Sequence, residues 1–354
     1  MRIFYTILLP LILYQAGQAV ELTCTPDAFP SINGSGFKLA AVREPPVNFA
    51  LPVGLNKTWV DLDLHGTIAQ AIEIIQEAKA ERVSLIAFPE LYFPGYPVGI
   101  NTAYTPKHIA QYVTQSMSVD GPEFQQLVHA FREAAMYGSF GFSEIANNSI
   151  FMAQALIGPD GSLLIHRRKL RPSGVERDIW SDGDPSGFVV QATPYGRIGM
   201  LECWEHFHPT MYFPMLAQLE NIHIAAFPFA ADLGVDPLAW EDGEESLAAA
   251  RWYSANMGGT VLMPAVGSAA IYVNGGKTAN ITNATANPSW RYVTTTIDTT
   301  QFSNTTFDID GEYSWAALKQ IIENYPSYIP KVASSFFDKK TNGIQSITSG
   351  LVNV

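Results

Sequence analysis

The chain has 354 residues, of which 47% are hydrophobic and 15% charged, and its mean hydropathy is +0.06. A chain of this length and composition buries a substantial core, which excludes a disordered protein and a small disulfide scaffold. The net charge of -12 disfavours nucleic acids and anionic membrane surfaces as partners, so the composition favours a small, neutral substrate.

The first nineteen residues differ from the rest of the chain. Arg2 precedes an apolar run over residues 3–14, and small residues follow it, as in a cleavable leader. The run is shorter than the roughly 20 residues that a membrane-spanning helix needs. We therefore expect residues 1–19 to be a signal peptide, and a secreted mature chain that starts near Val20 without a membrane anchor.

Secretion agrees with the acceptor sequences for N-glycosylation, since the chain contains six Asn-x-Ser/Thr triplets. These begin at Asn33, Asn56, Asn147, Asn280, Asn283 and Asn304. Asn147 falls in a predicted strand region, where we expect it to escape the glycosyltransferase.

Strand-length apolar runs and helical patterns alternate from residue 38 onwards. The predicted strands are 38–42, 83–88, 139–145, two within 149–170 joined by a hairpin turn at 159–162, 197–203, 222–227, two within 260–273, and 291–298. The predicted helices lie around Ile68–Ala78 and over 122–138, 207–220, 241–257 and 314–324, with Pro122 opening the second and Gly138 ending it. A further turn is predicted at 274–276. We expect one α/β domain over 20–310 with helices on its outer faces, and a C-terminal tail over 311–354.

Cys203 lies between a buried strand and a predicted helix. A thiol at such a junction is exposed by the turn, and the N-terminus of the helix favours its thiolate, as a nucleophile requires. The alternatives are an inert buried cysteine and a disulfide with Cys24, the only other cysteine.

Glu90 follows a wholly apolar strand in "LIAFPELYFPGYP". A carboxyl group there would lie at the end of a sheet, where partial burial raises its pKa and suits it to general base catalysis. The neighbouring aromatic residues and prolines are typical of a pocket wall. The alternative is an ordinary acid in a surface loop.

Three basic residues, Arg167, Arg168 and Lys169, end a predicted hairpin strand. Strand alternation sends Arg168 to one face and Arg167 and Lys169 to the other. Lys169 can therefore face inward beside Cys203 and stabilise developing negative charge, whereas a solvated face is the simpler interpretation for the two arginines.

Glu90 in "FPELYFPGYP", Lys169 in "HRRKLRPSGVER" and Cys203 in "GMLECWEH" occur in this order, 79 and 34 residues apart. Together they resemble the Glu-Lys-Cys triad of the nitrilase, or carbon-nitrogen hydrolase, superfamily, and "CWEH" is similar to the nitrilase branch. The resemblance extends over residues 38–265. It implies a four-layer α-β-β-α sandwich that forms homodimers or larger spirals, with the tail over 311–354 contributing oligomer contacts, and it implies no metal or other cofactor.

The resemblance implies that Cys203 is the nucleophile and Glu90 the general base. It implies that Lys169 stabilises the tetrahedral intermediate. It matches Glu144 in "GFSEIANNSIF" to a second glutamate that positions substrate and water, although an ordinary acid at a strand end remains the alternative. The chain departs from the branch at "YSANMGG" (253–259) and at Glu312, which replaces a histidine in the late "DIDGEYSW" stretch.

The remaining candidate residues surround Cys203 and Glu90. Tyr96, Trp204 and His206 are candidate substrate-binding residues, with His206 acting as a hydrogen-bonding group. A metal site formed by Glu205, His206 and His208 is disfavoured, because "WEHFHP" does not place three ligands on one face.

The expected activity is that of a secreted nitrilase, which converts an organic nitrile to a carboxylic acid and ammonia through a cysteine thioimidate. One alternative is an amidase-like enzyme similar to the secreted pantetheinase and biotinidase relatives. Another is a glycoprotein that keeps the scaffold without catalysis.

Overall fold

A computed structural model describes residues 32–50, 59–97, 105–230, 242–280, 290–302, 311–328 and 338–349. The predicted signal peptide, Cys24 and the acceptor sites at Asn56, Asn283 and Asn304 lie outside these residues and stay predictions.

The described residues form fourteen strands and seven α-helices. The strands are β1 (Phe37–Val42), β2 (Leu85–Ala87), β3 (Tyr137–Ala146), β4 (Ser149–Ile157), β5 (Leu163–Arg168), β6 (Gln191–Thr193), β7 (Gly196–Glu202), β8 (Ile222–Ala226), β9 (Phe229–Ala230), β10 (Thr260–Met263), β11 (Val266–Gly267), β12 (Ala270–Val273), β13 (Gly276–Asn280) and β14 (Tyr292–Ile297). The helices are α1 (Leu64–Ala80), α2 (Pro106–Thr114), α3 (Pro122–Ala134), α4 (Pro209–Leu216), α5 (Gly243–Met257), α6 (Gly311–Glu323) and α7 (Ile344–Ser349).

Twelve of the strands form two six-stranded sheets, in the orders β14-β1-β2-β3-β4-β5 and β13-β12-β10-β8-β7-β6. Each sheet has three parallel strands at its centre, β1, β2 and β3 in the first and β10, β8 and β7 in the second. Antiparallel strands flank them on both sides. The parallel strands explain the alternation of strands and helices, since each crossover needs a connecting segment.

The two sheets pack face to face through one apolar cluster, which includes Leu39 and Leu85 of the first sheet and Met200 and Ile224 of the second. Helices α1 and α3 cover the outer face of the first sheet, and α5 covers that of the second. The structure therefore has the four layers α-β-β-α, which confirms the predicted fold class.

Several predicted helix ends were wrong. Helix α3 ends at Ala134 because Ala135 turns into the left-handed region at φ 52°, and Gly138 lies inside β3. The predicted helix over 207–220 is a 3-10 turn at Cys203–Phe207 followed by α4, which ends at Leu216. Helices α2 and α7 were not predicted.

The hairpin turns predicted at 159–162 and 274–276 are confirmed, because they join the antiparallel pairs β4–β5 and β12–β13. The turn between β12 and β13 has positive φ at Asn274 and Gly275, as a type I′ turn requires. The turn between β3 and β4 has the same character at Asn147 and Asn148, and Asn147 is exposed. The expectation that Asn147 is hidden in a strand was therefore wrong.

Residues 338–349, here called the C-terminal segment, pack against the loop over 173–182. Asn342 donates from Nδ2 to the carbonyls of Arg177 and Trp180 at 2.9 and 3.1 Å, and its backbone N–H donates to Ser181. This segment thus contacts its own domain, while oligomer contacts of 311–354 stay a prediction. None of the described helices is long and apolar enough to cross a bilayer.

Candidate active site

Glu90 and Lys169, which lie 79 residues apart in the sequence, meet between the two sheets. Glu90 follows β2, Lys169 follows β5, and Lys169 Nζ lies 2.8 Å from Glu90 Oε1. Cys203 follows β7 of the other sheet and interacts electrostatically with both side chains. The structure therefore brings the three predicted triad residues together.

The backbone around Glu90 is tightly enclosed. A Cβ at Gly141 of β3 would lie 2.7 Å from Glu90 Cα and from Leu91 N, so β3 passes Glu90 at a distance that a larger residue would prevent. The Glu90 N–H donates to the Phe227 carbonyl after β8, which ties the two sheets together at this point. The Glu90 carboxyl group is consequently held in a fixed position.

Lys169 has a second carboxylate partner that the sequence interpretation missed. Glu176, in the 3-10 turn Gly174–Asp178, accepts from Lys169 Nζ at 3.0 Å, from the Ser173 N–H at 2.6 Å and from the Tyr96 hydroxyl at 2.8 Å. Burial alone would lower the pKa of Lys169, but the charges of Glu176 and Glu90 raise it well above its usual range. Lys169 therefore remains an ammonium group in the interior.

Burial raises the pKa of Glu90 well above its usual range, partly opposed by the charge of Lys169. Its Oε2 atom has no hydrogen-bond partner among the described residues. In its ionised form, beside the Lys169 ammonium, a carboxylate with a raised pKa is a stronger base than an ordinary one towards a nearby thiol or water.

Cys203 has a free thiol and a strained backbone. Its φ of 45° places it in the left-handed region, at the start of the 3-10 turn Cys203–Phe207. Burial raises the pKa of the thiol, as does the charge of Glu90, while the charge of Lys169 and the Trp204 backbone N–H lower it. The thiol therefore needs a base to become a nucleophile, and Glu90, whose charge acts on the thiol, has an oxygen without a hydrogen-bond partner among the described residues.

Strand alternation at the end of β5 is confirmed. Arg167 faces inward with Lys169 and donates from Nη2 to both carboxylate oxygens of Glu205, at 2.7 and 2.8 Å. The expectation of a solvated Arg167 was wrong, because this guanidinium is a buried partner of Glu205. Arg168 points to the opposite face, as predicted.

Glu144 does not belong to the cluster around Lys169. It accepts from Arg168 Nη2 at 2.6 Å and contacts His166 Nε2 at 2.9 Å, on the face of the first sheet opposite to Lys169. Burial would raise the pKa of Glu144, but these bonds lower it to about 2. We correct its assignment to a structural carboxylate at a strand end, and Glu176 occupies the position beside Lys169.

The three candidate substrate-binding residues have different environments. Tyr96 contacts Glu176 inside the cluster, and Trp204 is partly buried beside Phe207. His206 is buried behind Cys203 and contacts the Cys203 carbonyl and His223, so it is a hydrogen-bonding group without a face towards a substrate. Within the described ranges no three His, Cys, Asp or Glu side chains are grouped as metal ligands.

Glu202, directly before the nucleophile, is a further carboxyl group that sequence reasoning missed. It is fully buried, and neither of its oxygens has a hydrogen-bond partner among the described residues. Burial raises its pKa to about 8, although the charges of Arg167 and Lys169 oppose the change. Glu202 is therefore a neutral carboxylic acid below that pH.

Comparisons with known proteins agree with this geometry. The chain matches the carbon-nitrogen hydrolase family over residues 39–298, and it belongs to that family. An amidase of the nitrilase superfamily from Nesterenkonia AN1 has the same fold, with a TM-score of 0.59 at 13% identity over 83% of this chain and 98% of the amidase.

The curated proteins to which the chain is similar include nitrilases and cyanide hydratases. An arylacetonitrilase of Hypocrea virens is 40% identical over 188 residues, which cover 52% of this chain and 54% of the relative. A cyanide hydratase of Leptosphaeria maculans is 39% identical over 196 residues, which cover 54% of this chain and 51% of the relative. This chain thus spans about half the length of the curated relatives it matches.

The raised pKa of Glu202 makes stability depend on pH. Between the unfolded value of about 4.3 and the folded value of about 8, the folded protein keeps a proton that the unfolded chain has lost. The free energy of unfolding should therefore fall as pH rises through this window, by at most ~1.4 kcal/mol per pH unit. Glu202→Gln should remove that contribution.

Urea unfolding of the parent and of Glu202→Gln at several pH values measures this effect. Glu245→Gln, at an exposed carboxylate, is the matched control and should keep the parental slope. An identical pH dependence in all three proteins would show that Glu202 is ionised in the folded state at neutral pH.

Proposed function

We propose that this protein is a nitrilase, which hydrolyses an organic nitrile to a carboxylic acid and ammonia. The observation that carries the proposal is the buried Lys169, held between Glu90 and Glu176 within electrostatic range of the Cys203 thiol. The names of the curated relatives support a nitrile as the substrate.

In the first step, Cys203 Sγ attacks the nitrile carbon while Glu90 accepts the thiol proton. Electron density moves to the nitrile nitrogen, where the Lys169 ammonium stabilises the developing negative charge. The nitrogen then receives the proton from Glu90, and a thioimidate remains on Cys203. The raised pKa of Glu90 suits this double role, because it binds a proton readily and can release it to a stronger base.

In the second step, Glu90 removes a proton from a water molecule that adds to the thioimidate carbon. The resulting tetrahedral carbon carries sulfur, oxygen and nitrogen. If the protonated nitrogen leaves as ammonia, a thioester forms, and a second water releases the acid. If the thiolate leaves instead, the product is an amide. The charges around the nitrogen decide between these outcomes, and Lys169 is the charged group held at this position.

Cys203→Ala should lower turnover by at least roughly 10⁴-fold while the fold is kept, since it removes the nucleophile and little volume. Ammonia, acid and amide would be measured over paired nitriles and amides of aliphatic, aromatic and arylaliphatic type. Cys24→Ala is the matched control and should keep the parental rate.

Full activity of Cys203→Ala would contradict the proposal. Turnover of the amides without turnover of the nitriles would replace it with the amidase-like alternative, and no turnover of either series would favour the non-catalytic glycoprotein.

Glu176→Gln and Glu144→Gln form a matched pair, because each replaces a buried carboxylate by its amide. Glu176→Gln weakens the charge-assisted contact with Lys169, worth ~1.5–3 kcal/mol, so kcat should fall roughly 10- to 150-fold. Glu144→Gln should lower the melting temperature, because Arg168 loses its partner, and leave kcat within about twofold. Comparable losses of kcat in both variants would show that Glu144 contributes to catalysis and would contradict its assignment as a structural carboxylate.

We also propose that the protein is secreted, N-glycosylated and assembled as a homo-oligomer. The leader over residues 1–19 supports secretion, and the exposed positions of Asn33 and Asn147 suit glycan attachment. Expression in a eukaryotic host should give a mature N-terminus near Val20 and a loss of mass on treatment with an N-glycosidase. An N-terminus at Met1 without any change in mass would contradict secretion.

A further inference from the structure

A continuous row of buried side chains runs from the backbone of Cys203 into the second sheet. His206 Nδ1 lies 2.8 Å from the Cys203 carbonyl oxygen, and His206 Nε2 lies 2.9 Å from His223 Nε2. His223 Nδ1 lies 3.0 Å from both carboxylate oxygens of Glu220, and the Tyr253 hydroxyl donates to Glu220 Oε2 at 2.6 Å. All four side chains are buried.

The direction of each hydrogen bond follows from the protons that the groups can carry. A carbonyl oxygen only accepts, so His206 Nδ1 must carry a proton. Burial and the neighbouring His223 hold the pKa of His206 well below its usual range, so this ring is neutral and its Nε2 is an acceptor. His223 Nε2 must therefore donate. The hydrogen bond between His223 Nδ1 and Glu220 also needs a proton, on the nitrogen or on a carboxyl oxygen. The His206 tautomer is the same in both cases.

The surrounding backbone accommodates this row. Gly199 of β7 pairs with His223 of β8, and a Cβ at Gly199 would overlap Glu220 Oε1. Tyr253 stacks on the His223 ring with centroids 3.9 Å apart, and Phe227 stacks on the His206 ring at 5.4 Å. Both imidazole rings are thus fixed in orientation as well as in protonation.

The end of the row is a peptide group of the candidate site. The Cys203 carbonyl and the Trp204 N–H belong to one planar peptide unit, so fixing the carbonyl also fixes the N–H. That N–H lowers the pKa of the Cys203 thiol. A donor on the carbonyl side polarises the peptide and strengthens donation on the other side.

We propose that Glu220, His223 and Tyr253 are positioning residues that hold His206 in its Nδ1–H tautomer, and that His206 thereby fixes the left-handed Cys203 backbone and the peptide group between Cys203 and Trp204. This inference deepens the proposed function, since it rests on Cys203 as the nucleophile. It makes His206 an orienting group of the nucleophile.

Two substitutions of His206 distinguish the effect of its hydrogen bond to the Cys203 carbonyl from the effect of its packing. His206→Asn keeps an N–H near the place of Nδ1 and loses the contact with His223, whereas His206→Leu keeps the volume without a donor. The rate of Cys203 alkylation by iodoacetamide at neutral pH should fall about 10-fold or more in His206→Leu and stay within about threefold of the parent in His206→Asn. Glu90, Lys169 and Glu176, which also face the thiol, are unchanged in both variants.

The alkylation profile against pH should show a higher thiol pKa in His206→Leu, a change that lost packing alone does not produce. Equal alkylation profiles for His206→Leu and the parent, or equal losses in His206→Leu and His206→Asn, would overturn the proposal.

Histidine nitrogen NMR of the parent protein tests the tautomer even if His206→Leu does not fold. The His206 signals, assigned by their absence from His206→Asn, should show a protonated Nδ1 and a bare Nε2 from about pH 6 to about pH 9. A protonated Nε2 would overturn the proposal. Neither measurement depends on nitrile turnover, so a failure of the proposed activity and a failure of this inference are distinguishable.

Discussion

The ion pairs of Lys169 with Glu90 and Glu176 place a charge in the middle of an apolar sandwich, and the surrounding structure is arranged to make this possible. Removing an isolated charge from water costs several kcal/mol even after relaxation, so each buried ion needs partners held at fixed distances. The two sheets supply those distances, because Glu90 and Lys169 follow strands of one sheet and the neighbouring Arg167–Glu205 pair joins that sheet to the turn after β7.

Backbone strain is concentrated at the same place. Leu91, directly after Glu90, and Cys203 both have positive φ although neither is glycine. Each such residue costs on the order of 1–3 kcal/mol and persists only where the surrounding packing determines its conformation. Leu91 is fully buried, and the Cys203 carbonyl is held by a hydrogen bond with His206. Contacts within the chain therefore determine this backbone conformation, which reduces the reorganisation needed during reaction.

Local patterns predicted the features that depend on neighbouring residues. Alternation of side chains separated Lys169 from Arg168, and the turn sequences predicted the hairpins, because both effects act within a few residues. Glu144 was misassigned because its partners come from β5, and strand pairing is not visible in the local sequence. The Ser-x-x-Glu pattern at Ser173 and Glu176 was readable as a capping box, but the contact of Glu176 with Lys169 depends on the folded loop. Helices α2 and α7 are short, and they are stabilised by packing against each other.

The contact between the C-terminal segment and the loop over 173–182 has a consequence for biosynthesis. Asp182 accepts a hydrogen bond from the Lys340 N–H, 158 residues further along the chain, and the same loop carries Glu176. A ribosome adds residues in order, and the earlier strands can pair while later ones are still being made. The loop that places a carboxylate beside Lys169 cannot acquire these partners until residue 342 has emerged. A nascent chain would therefore hold its nucleophile before the loop that carries Glu176 has its contacts with residues 340 and 342.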